Sequence, residues 1–385
     1  MWLYLTIFFI PVLYYLTNPK GGKNMTFLAW MMLFLAFFVG LTDMLGGYDR
    51  YIYAELFDSL ADETHAGKNP FKSYAFDFYG SEFGYGTLCV IISLFTRNRY
   101  IFILIITLIF YFFLYLSIKR YTTNYPYAII LFFGLWFFFS FTYLRQILGT
   151  VLCWLSIEYA IKQDKTKFFL ITLLGATIHN SALVFLPVYF LSQKKFSKTQ
   201  ILSVMSICFL IGLTNITGAL QSVYGSFNTV SGYHEAQGMM GDAEGSFRIA
   251  YAIEAVFFLF IILSNYHLFS NSRKRNTLLN MALMFCAILL LFIRSENGGR
   301  IAWYYMIGII STITYIVHKK GVNPLLSKAL IIVCIFLYLR VYNSWQLFNN
   351  LYPYKTFLTN GHRTPDFSYE RYEYDENYDK DKFYR

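Results

Sequence analysis

Apolar runs recur along this chain from end to end, near 2–17, 26–45, 83–96, 100–118, 126–143, 146–161, 168–192, 200–221, 248–269, 277–294, 300–317 and 325–345. Many are close to the roughly 20 helical residues that cross a ~30 Å hydrocarbon layer. A backbone in lipid has no water to satisfy its N–H and C=O groups, so such runs fold as helices. Composition agrees: 57% of the residues are hydrophobic, 21% aromatic and only 14% charged, where soluble proteins carry about 25% charged residues. A disordered chain, a coiled coil and an ordinary soluble enzyme are excluded. The pattern predicts an all-α polytopic membrane protein with about 10–12 transmembrane or re-entrant helices. Residues 1–345 read as a single multi-spanning membrane domain, and 346–385 as a polar, Tyr-rich C-terminal tail.

The net charge of +10 reflects orientation in the membrane, and no nucleic-acid partner is implied. Lys and Arg sit in short clusters between apolar runs, as the positive-inside rule requires. Lys20/Lys23, Lys119/Arg120, Lys162/Lys165/Lys167, Lys194/Lys195/Lys198, Arg273/Lys274/Arg275 and His318/Lys319/Lys320 are therefore placed in the cytoplasm. External loops then fall near 46–82, 222–247 and 294–300. Two conditions follow. Segment 83–96 is short and must dip in and return. Segment 168–192 must break near its middle, where Gly175, His179-Asn180-Ser181 and Pro187 allow it. Irregular backbone at membrane depth is tolerated where it lines a polar cavity, so both segments point to a site. Plain alternation is the other topology and puts Lys119 and Lys162 outside. The first run has no basic leader and reads as a retained helix. Cys89, Cys153, Cys208, Cys286 and Cys334 fall in apolar segments without metal-ligand spacing and read as small core residues.

This topology brings Asp43, Asp49, Glu82, Arg145, His179, Arg248 and Arg300 to or near the external face from distant parts of the chain. A cavity lined by carboxylates and arginines suits a transferase working on anionic lipid-linked substrates. Asp49 follows Gly46-Gly47-Tyr48 and precedes an aromatic amphipathic stretch, Tyr51 to Phe57. It can serve as a general base on a hydroxyl or as a solvated turn residue. Glu82 opens the short segment 83–96, where the helix dipole alone also favours a carboxylate. Arg145-Gln146 can clamp a phosphate by bidentate bonds or anchor at the interface. His179 lies inside an apolar run, where an ionisable group is a functional candidate, though a satisfied core histidine is the plainer reading. Arg248 and Arg300 sit at helix N-termini, which the dipole disfavours. A pyrophosphate would offset that, and so would Glu82 or Glu296. Arg294 to Arg300 is a tight turn. No Walker A loop, GxGxxG fingerprint or serine nucleophile elbow is present, and no polar stretch can house a nucleotide-sugar domain. The energy must arrive with the substrate, and no cofactor or metal is expected.

Taken in order, Gly47-Tyr48-Asp49 with Tyr53, Glu82-Phe83-Gly84-Tyr85, Leu144-Arg145-Gln146, His179-Asn180-Ser181-Ala182, Arg248, and Arg300 with its aromatic followers resemble the EpsG family of bacterial polysaccharide-biosynthesis membrane proteins, related to Wzy-type polymerases. The resemblance spans roughly residues 25–310. The family usually has Gly-Thr-Asp in the first loop, whereas Tyr48 takes the middle place here. Thr42-Asp43 offers a second register; the spacing to Tyr53 favours Asp49.

The resemblance implies a GT-C-like glycosyltransferase in the bacterial inner membrane, its active site facing the periplasm or exterior. It would join oligosaccharide repeat units carried on undecaprenyl pyrophosphate, for capsule, exopolysaccharide or O-antigen. Asp49, with Glu82 as the other candidate, would take the acceptor proton. Arg145, Arg248 and Arg300 would hold the pyrophosphate, with Gln146 beside Arg145, and His179 would orient the acceptor or bind phosphate. Tyr53, Tyr51 and Trp303 would stack on sugars, or simply belong to the interfacial aromatic belt. Partners would be the lipid-linked oligosaccharide and membrane lipid, with a chain-length regulator and a flippase as candidate protein partners. The competing readings are a membrane acyltransferase centred on His179-Asn180, a lipid-linked sugar flippase or transporter, and a ligase that differs only in its acceptor.

Overall fold

Short polar side chains start six of the longer helices. Asn24, Asn98, Asn124, Asp164 and Ser272 each accept a hydrogen bond from a backbone N–H in the turn that follows, and Ser197 with Gln200 forms a full capping box. Each cap satisfies donors that would otherwise be orphaned where an apolar run begins. The structure is a computed structural model. It describes residues 1–42, 48–191, 194–214, 247–295, 297–345, 351, 354 and 356–358. Asp43, Glu296, the loop 222–246, the side chain of Tyr51 and the tail from 359 onward lie outside the described residues.

The longer helices are α1 Trp2–Thr17, α2 Met25–Gly40, α3 Tyr48–His65, α4 Phe83–Ser93, α5 Arg99–Tyr121, α6 Tyr125–Leu135, α7 Leu144–Lys162, α8 Lys165–Ile178, α9 Lys198–Gly212, α10 Ile249–Ser264, α11 Arg273–Leu291, α12 Gly298–Val317 (with a 3-10 turn at Trp303–Tyr305) and α13 Pro324–Trp345. Among the described residues there is no strand, only an isolated bridge between Thr42 and Thr356. The helices α5, α7, α11, α12 and α13 are long and apolar enough to cross a membrane. The protein is an all-α polytopic membrane protein. It divides into two compact units: Met1–Val151 with Asn323–Arg385, and Leu152–Val322.

In the first unit α1 runs antiparallel to α13, with the Met1 amine on the Tyr342 hydroxyl and the Tyr338 hydroxyl on the Tyr4 carbonyl. Helix α6 runs beside α13 in the same direction: Tyr127 donates to Ser327 O at 3.0 Å, and the Phe133 and Tyr338 rings lie 5.7 Å apart. Lys119 and Arg120 close α5, Asn124 crowds Gly22, and Ser327 precedes Lys328. The basic clusters of this unit therefore share one end. Thr42, Arg50 and Phe141 meet at the other. The described start of the tail is packed there too: Tyr354 stacks flat on Phe38 at 4.4 Å, and Phe357 N donates to Leu41 O.

Segment 83–96 is short, and segment 168–192 breaks near its middle. Helix α4 has 11 residues, about 16 Å at 1.5 Å per residue, too short to cross. Both its ends rest on α3: Tyr85 lies 5.8 Å from Tyr53, and the Ser93 carbonyl is 2.8 Å from His65 Nε2. In the second unit α8 stops at Ile178, and the chain turns through extended His179 into a 3-10 turn, Asn180–Phe185. It then doubles back. Phe185 stacks on Phe168, and Tyr189 reaches the Gln163 carbonyl at 3.3 Å. Phe168 and Tyr189 are thus at one level, and His179 is at the tip.

The same level gathers the basic clusters of the second unit. Asn280 bonds the Leu191 and Lys194 carbonyls, Lys195 the Phe269 carbonyl, and Arg273 the Ile161 carbonyl. Arg275 and Lys319 both lie over the Tyr315 ring. Helices α11 and α12 pack so closely that a Cβ on Gly308 would sit 2.6 Å from the Ala282 backbone nitrogen. Gly308→Ala must part the two helices. The expected cost is about 1–3 kcal/mol, as for overpacking elsewhere, and is read as a lowered melting temperature of the purified protein.

Candidate functional site

The polar loop expected over 46–82 contains a helix, α3, and its sequence shows why. Residues 50, 53, 54, 57, 58 and 61 follow the i, i+3, i+4 spacing of one helical face, and all of them are buried. That face carries two charges. Arg50 is fully buried. Its guanidinium donates to Phe141 O at 3.1 Å, to Val39 O at 3.3 Å and to Thr42 Oγ1 at 2.9 Å. It ties the start of α3 to the end of α2 and to the residues before α7. Asp58 accepts from Arg99 Nε at 2.7 Å and from Arg99 Nη2, which pins the middle of α3 to the start of α5. Asp49 sits in the first turn of α3, half-buried, where the helix dipole favours a carboxylate.

The next shell of this unit is aromatic. Arg145, in the first turn of α7, donates from Nη1 to Glu82 Oε2 at 2.5 Å, with both residues buried. Its guanidinium carbon lies 4.8 Å from the Tyr53 ring centre and 5.8 Å from that of Tyr79. Tyr79 and Tyr85 meet edge to face at 5.4 Å. A cation between two ring faces is stabilised by their quadrupoles, and a desolvated carboxylate–guanidinium pair is tolerated only with such support. Arg145 Nε remains buried without a hydrogen-bond partner among the described residues. Burial holds the Tyr79 phenol well above the usual tyrosine range, so it stays neutral, and its oxygen accepts from Cys89 Sγ at 3.7 Å. Gln146 is buried beside Arg145.

The structure thus joins two candidates, Glu82 and Arg145, that the sequence offered as a base and a phosphate clamp. Glu82 was weighed as a counter-charge for Arg248 or Arg300; within its own unit it pairs with Arg145. Tyr53 and Trp303, expected to stack on sugars at the mouth, are 4% and 6% exposed. Tyr53 packs against Arg145, and neither ring is open to a sugar. Sequence reasoning passed over Arg50, the Asp58–Arg99 pair and Tyr79. The buried face of α3 was the available signal for the first two, and Tyr79 carried none.

The second unit holds His179, Arg248 and Arg300. His179 Nδ1 lies 3.2 Å from the Ser181 backbone nitrogen and 2.7 Å from Ser181 Oγ, and that oxygen is 2.9 Å from the Tyr304 hydroxyl. A backbone N–H can only donate, so Nδ1 accepts and the neutral ring carries its proton on Nε2. Nε2 is then the donor nitrogen of the ring. Tyr304 is buried, its backbone oxygen accepts from Trp154 Nε1 at 2.8 Å, and it lies one turn after Arg300. Arg248 caps α10, and its backbone N–H donates to Ile293 O at 2.9 Å. Gly298 and Gly299 press against the Tyr251 ring. The turn before α12 is therefore held against the start of α10, and the backbones of Arg248, Arg294 and Arg300 come to one end of the unit, opposite its basic clusters. Arg248 and Arg300 are half-buried.

A family model matches residues 3–356, nearly the whole described chain. The chain belongs to the EpsG family. EpsG proteins are Wzy-like, and membership supports a polysaccharide polymerase in broad terms. No curated protein and no solved structure gives a significant match.

Proposed function

We propose that this EpsG protein is a metal-independent glycosyltransferase of GT-C-like architecture. In this reading it joins oligosaccharide repeat units carried on undecaprenyl pyrophosphate, at the outer face of the bacterial inner membrane. The observation that carries the reading is the first unit's cluster: a half-buried Asp49 at the head of α3, with the buried Glu82–Arg145 pair packed against Tyr53 of the same helix. A nucleophilic hydroxyl needs a proton acceptor, and a departing pyrophosphate needs cations. Asp49 takes the proton from the acceptor sugar hydroxyl. That oxygen bonds to the anomeric carbon of the growing chain. The anomeric carbon–oxygen bond to phosphate breaks, and the pyrophosphate leaves on its lipid. Glu82, committed to Arg145, orients the guanidinium and leaves the base role to Asp49. Arg145 is the candidate cation of the first unit, and Arg248 and Arg300 are those of the second. His179 donates from Nε2 to the acceptor or to phosphate.

Deletion of the gene, followed by mass spectrometry of lipid-linked glycans, tests this. Loss of polymer with accumulation of single lipid-linked repeat units is expected.

One observation favours a second reading. Ser181 Oγ lies 2.7 Å from His179 Nδ1, as a nucleophile lies near its base. Full-length polymer lacking only an acyl group in the deletion strain would make that pair the centre of an acyltransferase. The local geometry accounts for the contact more simply, since the same nitrogen also caps the Ser181 backbone.

A further inference from the structure

Arg294 enters the sequence only as the first residue of a turn, and the chemistry proposed above does not use it. It follows the end of α11, and its position is fixed twice. The carbonyl of Ile293, just before it, is held by the Arg248 backbone N–H at 2.9 Å. The turn after it is pressed onto α10: a Cβ on Gly299 would sit 2.9 Å from the Tyr251 hydroxyl, and one on Gly298 would sit 2.7 Å from Phe292 Cβ. Arg294 therefore stands with Arg248 and Arg300 at one end of the second unit.

Its side chain is half-buried. Nε is fully buried, and it has no hydrogen-bond partner among the described residues. The described ion pairs of the protein do not include Arg294. The C-terminal end of α11 gives a cation a favourable field, but a dipole does not accept the Nε–H, and a buried donor without an acceptor is costly. A planar fork of N–H groups, carried beside the backbones of two further arginines, is suited to a multivalent oxyanion bound bidentately.

We propose that Arg294, with Arg248 and Arg300, forms a binding site for a diphosphate group. That the diphosphate is the head of a lipid-linked sugar rests on the polymerase reading; the anion site itself does not. The full-length protein in phosphatidylcholine nanodiscs is titrated with farnesyl diphosphate and, separately, with inorganic pyrophosphate, as wild type, Arg294→Gln and Arg294→Lys. Binding of farnesyl diphosphate is expected to weaken about tenfold or more in Arg294→Gln and less in Arg294→Lys, as for loss of a charge-assisted bidentate contact. The melting temperature without ligand is expected to hold or rise, because an unsatisfied charge is removed. The same dependence with inorganic pyrophosphate supports the site and shows that the headgroup suffices.

Two results overturn the proposal. One is unchanged affinity in Arg294→Gln, with or without a lower melting temperature, which would leave Arg294 a structural residue at most. The other is equal, Arg294-dependent occupation by phosphatidylglycerol doped into the nanodisc, which would make this a general headgroup site. Failure of the polymerase reading looks different. A protein that binds diphosphate through Arg294 but makes no polymer keeps this site, whereas normal polymer with undiminished diphosphate binding in Arg294→Gln loses it.

Discussion

Polymer is expected to disappear when Asp49 is replaced by asparagine, with the protein still folded in the membrane. The carboxylate is half-buried in the first turn of α3. Asparagine keeps its volume and can still meet the helix N-terminus. The buried face of the helix, anchored by Arg50 and Asp58, is untouched by the change. What is lost is a proton acceptor, and general-base catalysis contributes roughly 10²–10⁴-fold to a rate. Gel analysis of surface glycan from a strain carrying Asp49→Asn, with the protein quantified by immunoblot, checks this. Polymer of normal length and amount would remove Asp49 from the base role.

The second large effect concerns stability and activity together. Removing one member of a buried ion pair strands the other, at a cost of about 3–5 kcal/mol. Arg145→Ala and Glu82→Gln are each expected to lower the melting temperature sharply and to abolish polymer. The double variant Glu82→Gln/Arg145→Met leaves no stranded charge. Its stability is expected to exceed that predicted by adding the two single effects, while polymer stays absent. Arg145→Lys keeps the charge but not the planar fork and is expected to be nearly as inactive as Arg145→Ala. Full activity with lysine would show that a point charge suffices. Strict additivity in the double variant would show that Glu82 and Arg145 act apart, against the 2.5 Å contact.

Much of the fold was legible because the hydrocarbon layer leaves few options. Apolar runs gave the helices, and the break at His179 was announced by Gly175, Asn180 and Pro187. The doubling back of that segment follows from the basic residues on both of its flanks. Helix α3 was hidden because its mean polarity is that of a loop. Only the 3.6-residue spacing of Arg50, Tyr53, Phe57 and Asp58 betrays a buried face, and two of those residues are charged. Pairings were beyond the sequence for a simpler reason. Glu82 had several arginines within topological reach, and nothing in residue spacing selects Arg145 over Arg248 or Arg300. Tyr53 is a support for Arg145 rather than an exposed sugar platform, since burial depends on what packs above it.

Reconstitution is the most direct test of the central claim. The purified protein in liposomes receives undecaprenyl-pyrophosphate-linked repeat units and nothing else, and the products are resolved by gel and mass spectrometry. A ladder that grows by whole repeat units, with one undecaprenyl pyrophosphate released per bond formed, is the predicted result. Repeat units that stay single in the presence of folded wild-type protein, or that move across the bilayer without being joined, would contradict it.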